Sequence, residues 1–330
     1  MAVYPLGQWP GAQQQAITPP AGFSMNTDMS DDDTVEVPAA PVPPVPLWPE
    51  TGSSRAEVDL AAVSHRGLVR ENNQDHYLVV RIGRSLQTLW TNLLVDEVPT
   101  RAEEVAYGLV VADGMGGPTG GAVASQLAIT TLVSLALHTP DWVLGIRPQD
   151  TRRRVQRMEE RWRNVQEALR QRGDREPALG QMGTTMSAAV SLGTRLVVGH
   201  VGDSRVYIFR QGQLHQLTRD HRLVQTMMDL GALTPEQAAT HPQRHILMRS
   251  FSASGDTAQG DFQQALLADG DQLMLCTDGL TDMVDTEVIS SVLSRAASAD
   301  EACQVLLAAA LRNGGKDNVT IALARYRFPR

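Results

Sequence analysis

From about residue 57 onward the apolar positions come in short bursts separated by turn residues. Runs of about four to eight apolar, β-branched residues bounded by Gly or Asp read as buried strands. On that rule GLVVADG at 108–114, LVVGHVGDS at 196–204 and DQLMLCTDG at 271–279 each predict a strand ending on an aspartate followed by a tiny residue. KDNVTIALARY at 316–326 is the mirror arrangement, with its aspartate just before the apolar run. Further strands are expected at Val58–Val63, His76–Ile82, Thr184–Ser191 and Arg195–Val201, the last two joined by Leu-Gly-Thr. Val206–Arg210 and Gln213–Gln216 should pair around a Gln-Gly turn.

Helical spacing marks other stretches. Residues 121–138 predict a long, strongly apolar helix, and 151–172 a second. The second places Val155, Met158, Trp162, Val165 and Leu169 on one stripe, with an arginine-rich opposite face expected to lie in solvent. A mostly helical insert follows at 220–240, with Thr234-Pro235-Glu236 as a helix start. Helices are expected at 285–297 and 299–312, the latter ended by Gly314-Gly315. The segment 83–106 is longer than most connections and has room for a short element of its own, and 241–256 reads as loop. Sequential strands on short turns, with helices grouped in a few places, predict an α+β fold rather than alternating βαβ units.

Residues 1–56 differ in texture, with QQQ at 13–15, the acidic run Asp31–Asp33 and PAAPVPPVPLWP at 38–49. Such sequence buries too little apolar surface to offset the entropy of ordering. A disordered, Pro-rich and acidic tail is expected there, ahead of one domain over 57–330. PVPPVP has the form of a polyproline II ligand, although a spacer needs no partner. Composition narrows the classes further. A charge of −8 and a pI near 5.5 argue against a nucleic-acid-binding chain. No stretch reaches the about 18 consecutive apolar residues of a membrane span, and the start lacks the pattern of a secretory signal. Cys276 and Cys303, the only cysteines, have no metal-ligand or redox spacing. The expectation is a cytoplasmic monomer with no membrane partner.

The strand ends carry the chemistry. Asp113, Asp203, Asp278 and Asp317 offer hard oxygen ligands on rigid elements, which suits Mg²⁺ or Mn²⁺. An Asp-Gly pair alone can simply be a turn. Four strand-end aspartates together favour a metal site, and Gly114 leaves its carbonyl unobstructed toward a cation. Upstream, Arg70 in RENNQD at 70–75 can present a planar donor fork to phosphate, or stand exposed and idle. No GxxxxGK[ST] occurs and Lys316 is the only lysine, which excludes a P-loop.

In order along the chain, Arg70-x-x-x-Gln74-Asp75, Val-Val-Ala-Asp113-Gly114-Met-Gly-Gly, Gly183-Thr184-Thr185, Val-Gly-Asp203-Ser204-Arg205, Thr-Asp278-Gly279-Leu and Lys-Asp317-Asn318-Val-Thr resemble the motifs of the PPM/PP2C protein phosphatases. The bacterial type that partners Hanks-type kinases is the most similar, and HPQRHILMR at 241–249 resembles its flap. The resemblance implies a central sandwich of two antiparallel sheets flanked by helices. It implies two core Mn²⁺ or Mg²⁺ ions bridged by Asp113, with the Gly114 carbonyl on one and Asp278 and Asp317 on the other. Asp203 would join Asp278 at a weaker third ion, Asp75 would orient the attacking water, and Arg70 would bind phosphate. The implied reaction is in-line attack of water on phosphoserine or phosphothreonine in proteins, opposing a cognate Ser/Thr kinase. Met115 stands where animal members carry a histidine proposed as general acid, and Gln74 where they carry glutamate. His245, at a flap position, is read as a surface histidine. Two rivals stay open: a catalytically weak binding module of the same fold, and a small-molecule phosphoesterase.

Overall fold

The computed structural model describes residues 56–94, 97–138, 151–255 and 259–329, without the side chains of 118 and 151–155. The expected tail and its proline cluster lie outside that set, as does the side chain of Val155 in the helical stripe. Among the described residues the strands form two sheets whose registered pairs are antiparallel. The first has the order β1 (Glu57–His65), β12 (Val319–Arg327), β11 (Gln272–Cys276), β7 (Arg205–Arg210), β8 (Gln213–Gln216). The second runs β10 (Asp261–Leu266), β6 (Arg195–Val201), β5 (Met186–Leu192), β3 (Arg101–Met115), with β2 (Asp75–Gln87) also on β3. At the end of β3 the short strands β4 (Gly183–Thr184) and β9 (Phe251–Ser252) continue the pairing.

Alternation along β3 shows how the layers assemble. Leu109 and Val111 face the other sheet and pack with Val198, Ile208, Leu273, Leu275 and Ala322. Val110 and Ala112 face the opposite way, onto Ala124, Ala128, Trp162 and Leu169. These last belong to α1 (Gly117–His138) and α2 (Thr151–Arg175). Successive strand residues point to opposite faces, so a strand buried on both sides must be apolar throughout. The outer face of the first sheet is covered in the same way by α6 (Thr286–Arg295) and α7 (Ala299–Arg312), with Met274, Cys276, Ile321 and Leu323 against Ile289, Leu306 and Ala310. The result is the expected α+β sandwich with helices on both outer faces. By length and composition α1 could cross a bilayer. Its Ala124, Ala128 and Ile129 are instead buried in the helix–sheet layer. On α2, Trp162, Val165 and Leu169 are buried as the stripe predicts, and exposed Arg170 pairs with Glu167 and Asp174.

Several boundaries differ from expectation. The segment 83–106 carries strand at both its ends, because β2 and β3 continue as a long hairpin whose arms pair from Asp75–Asp113 out to Gln87–Arg101. The predicted strand 184–191 breaks at Thr185, whose N–H donates to the Asp113 carbonyl at 2.9 Å. The insert at 220–240 resolves into α3 (Leu223–Asp229) and α4 (Pro235–Thr240), the second opened by a Thr234–Gln237 capping box. The region 241–256 contains β9, and Asp278 opens a one-turn helix, α5 (Asp278–Thr281).

Candidate metal centre

Strand pairing sets the first carboxylates against each other. The β2–β3 register places Asp75 directly opposite Asp113. From the other sheet, β11 delivers Thr277 and Asp278 at its end, while neighbouring β12 begins just after Asp317. The two sheets are joined here by a buried hydrogen bond in which Thr277 Oγ1 donates to Asp75 Oδ2 at 2.8 Å. The same hydroxyl accepts from the Thr320 N–H at 3.0 Å, fixing its direction. Asn318 secures the loop before Asp75: its Oδ1 accepts from the Gln74 N–H at 2.7 Å and its Nδ2 donates to the Arg66 and Asn72 carbonyls. Gln74 Nε2 in turn donates to the Gly117 carbonyl at 2.6 Å, tying that loop to the start of α1.

Glycine is required at position 114 by close approach. A Cβ there would fall on the Gly121 carbonyl oxygen and lie 2.7 Å from that of Gln74. Gly116 then turns the chain into α1 with φ +115°, a conformation open to glycine.

The carboxylates crowd one another. Burial, together with the nearby Asp317, raises Asp75 to about 6, although Thr277 and Thr320 oppose the rise. Asp113 and Asp278 are held well above the usual carboxylate range, by burial first and then by neighbouring aspartates. Asp113 is only partly buried by surface area, so like-charge repulsion contributes alongside desolvation. Two arginines temper the cluster. Arg70 Nη2 donates to Asp317 Oδ2 at 2.6 Å on the open side, where the two side chains are 58% and 38% exposed. Arg222 lies within, donating to Asp203 Oδ2 at 2.6 Å through Nε and to Asp278 Oδ2 at 2.8 Å through Nη2.

Does this set fit divalent ions? Asp75 Oδ1 and Asp278 Oδ1 are buried without any hydrogen-bond partner. An orphaned carboxylate oxygen is costly unless a cation completes it. The donors are all hard oxygens, the kind Mg²⁺ and Mn²⁺ take. Among the described residues no three acidic, His or Cys side chains already converge on one point. The arginine pairings give the reason: Asp317 and Asp203 are turned toward guanidinium groups. The residues fit such ions in type, and Asp317 meets Arg70 through Oδ2 while its Oδ1 accepts from the Asn318 N–H at 2.8 Å.

All seven predicted site residues lie at this end of the sandwich. Asp75, Asp113, Gly114 and Asp278 form its centre, Arg70 and Asp317 its open rim, and Asp203 its Arg222 side. Thr277, Asn318 and Arg222 were missed as site residues. Thr277 and Asn318 lie beside predicted aspartates, but nothing in the sequence distinguishes them from strand-end residues. Arg222 falls inside DHRLV, which reads as the start of the helical insert. His245 is 54% exposed, 3.8 Å from Asp282, as a surface histidine would be. Cys276 is fully buried and its thiol is pushed up to about 12, which leaves it no nucleophilic part.

A double antiparallel sandwich with an oxygen-rich carboxylate centre at one end defines a class of metal-dependent hydrolase folds. Comparison with known proteins makes the class specific. The family model for protein phosphatase 2C matches residues 96–313, which include Asp113, Asp203 and Asp278 but not Arg70, Asp75 or Asp317. This chain belongs to the protein phosphatase 2C family. It is 37% identical over 264 residues to the serine/threonine protein phosphatase PstP of Mycobacterium tuberculosis, covering 80% of this chain but only 44% of PstP. It is 31% identical over 269 residues to the protein phosphatase PhpP of Streptococcus pneumoniae, covering 81% of this chain and 96% of PhpP. The crystal structure of the M. tuberculosis phosphatase superposes with a TM-score of 0.66 at 35% identity, over 82% of this chain and 99% of that one. A second structure, of the PstP catalytic domain in complex with two manganese ions, superposes with a TM-score of 0.63 at 32% identity.

Proposed function

We propose that this chain is a Mn²⁺- or Mg²⁺-dependent protein serine/threonine phosphatase. The observation that carries the reading is the buried aspartate cluster, whose Asp75 Oδ1 and Asp278 Oδ1 have no partner while Asp113 and Asp278 are held well above the usual carboxylate range. Asp113, the Gly114 carbonyl, Asp278 and Asp317 would hold two core ions. When bound, such ions neutralise phosphoryl oxygens and lower the pKa of a water toward neutrality. Asp75, locked by Thr277 and buried, would orient the attacking water as acceptor. Arg70 stands at the open rim, where release from Asp317 frees its guanidinium fork for the substrate phosphate and frees Asp317 for an ion. Their exchange of partners would couple metal loading to substrate binding. An exposed rim admits a phosphorylated side chain carried on a protein surface. The expected substrates are phosphoserine and phosphothreonine proteins, including targets of a cognate Ser/Thr kinase. Two buried free thiols suit a reducing, cytoplasmic setting.

The test is hydrolysis of a phosphothreonine peptide with and without Mn²⁺, for the wild type and Asp113→Asn. Metal-dependent turnover lost in the variant supports the reading; metal-independent turnover, or full activity in the variant, defeats it. Faster hydrolysis of nucleotides than of peptides would favour a small-molecule phosphoesterase.

A further inference from the structure

The guanidinium of Arg222 sits where three carboxylates face one another. Its Nε donates to Asp203 Oδ2 at 2.6 Å, its Nη2 to Asp278 Oδ2 at 2.8 Å, and its Nη1 lies 3.5 Å from Asp282 Oδ1. The side chain is only 8% exposed. Its backbone is pinned on both flanks. His221 N–H donates to the Gly202 carbonyl at 2.7 Å, Leu223 N–H to that of Ile246 at 2.9 Å, and Met248 N–H to that of His221 at 2.7 Å, with Arg222 bridged to Leu247. Asp220, two residues earlier, is clamped by Arg205 through bonds of 2.9 and 2.8 Å. This arginine is therefore built into the site and is not a surface side chain that has fallen into it.

The division of oxygens is informative. Arg222 takes Oδ2 of Asp278 and leaves Oδ1 buried and unpartnered. One oxygen is held by an internal cation and the other has no partner. A divalent ion shared by Asp203 and Asp278 would lie about 2.0–2.6 Å from their oxygens and so sit against a fixed positive charge that already bonds one oxygen of each.

We infer that Arg222 is the resident cation between Asp203 and Asp278 and stands in for a third divalent ion, so that Asp203 is an arginine partner and not a metal ligand in this chain. The inference builds on the proposed metal centre but concerns only its Asp203 side. A guanidinium holds Asp278 in place at every metal concentration, whereas a weak third ion would come and go. Arg222 is thus a positioning residue for Asp278.

The experiment counts Mn²⁺ bound to the intact chain, from the electron paramagnetic resonance signal of the free ion, for wild type, Arg222→Met, Arg222→Ala, Asp203→Asn and Arg222→Ala combined with Asp203→Asn. Near-ultraviolet circular dichroism reports whether each variant is folded. Arg222→Met removes the charge but keeps the bulk, so it supplies the count if the smaller variant does not fold. The expected result is one more bound ion in the Arg222 variants than in wild type, with the gain abolished by adding Asp203→Asn. Asp203→Asn alone should keep the wild-type count and shift the affinities by less than about threefold. Equal counts in wild type and a folded Arg222 variant, or an ion lost from wild type by Asp203→Asn, would overturn the inference. A wild type that binds no Mn²⁺ would sink the two-ion reading, while the difference between variants still decides the role of Arg222.

Discussion

Replacing Asp75 by asparagine should make the metal-free protein more stable and the enzyme far less active. Asp75 is 4% exposed, and burial raises its carboxyl from 3.8 to about 6. Below pH 3.8 the group is protonated in both folded and unfolded chains and costs nothing. As pH climbs from there to about 6 the folded state holds a proton that the unfolded state has released, so stability falls. Above about pH 6 the whole penalty is present, about 3 kcal/mol at 1.36 kcal/mol per pKa unit. Asparagine keeps an oxygen for the Thr277 hydroxyl but leaves an amide where Oδ1 has no partner, which gives back about 1 kcal/mol or more. The net gain at pH 7 is therefore about 1–2 kcal/mol. Urea unfolding in EDTA at pH 7 and pH 4 would measure it, with the advantage expected at pH 7 and absent at pH 4. Turnover of a phosphothreonine peptide should fall by about 100-fold or more, as for loss of a general acid–base group. A variant less stable than wild type at pH 7 in EDTA, or an advantage that ignores pH, would refute the account.

Gly114→Ala should cost about 3 kcal/mol or more in thermal unfolding, because its Cβ would fall on backbone carbonyls that cannot yield. Arg70→Ala should leave stability within about 0.5 kcal/mol, since its ion pair is exposed, yet lower kcat/KM for a phosphopeptide by about 10–100-fold, mainly through KM. An unchanged KM would remove Arg70 from phosphate binding. His200 is buried, and burial together with neighbouring His221 lowers it from 6.5 to about 4. Its contribution is complete above pH 6.5 and is lost as pH falls toward 4, by about 3 kcal/mol, so His200→Gln should flatten that limb of a stability–pH curve.

The aspartates were legible because of where they sit. A strand buried on both faces must be apolar along its length, so the first charged residue marks where the sheet ends. In β3 and β11 that end is also the edge of the sandwich. The family motifs then gave Arg70 and Asp75 their places. What stayed hidden depends on pairing between distant segments. Nothing local to 70–75 reveals that Asp75 meets Asp113 in register, or that the Thr277 hydroxyl crosses from the other sheet to reach it. Strand β10 escaped because DFQQAL is an edge strand with exposed glutamines, lacking the apolar run of a central strand. The outer halves of β2 and β3 looked like loop for the same reason, with exposed residues from Arg84 to Gln87.

Charge shows why the missed arginine matters most. Asp75, Asp113, Asp203, Asp278, Asp282 and Asp317 bring six negative charges when ionised, and Arg70 and Arg222 bring two positive. Burial makes an uncompensated remainder of four costly, and Asp113 and Asp278 are accordingly held well above the usual carboxylate range in the chain alone. Two divalent ions close that remainder to zero. A third ion added beside Arg222 would carry the site to a net charge of plus two before any substrate arrived. Exchanging Arg222 for that ion instead leaves plus one. Both arrangements attract a phosphate dianion, but only the arginine keeps Asp278 oriented when metal is scarce. On this reasoning the Asp203–Asp278 side is set by the sequence of this chain, and metal supply should govern only the two core positions.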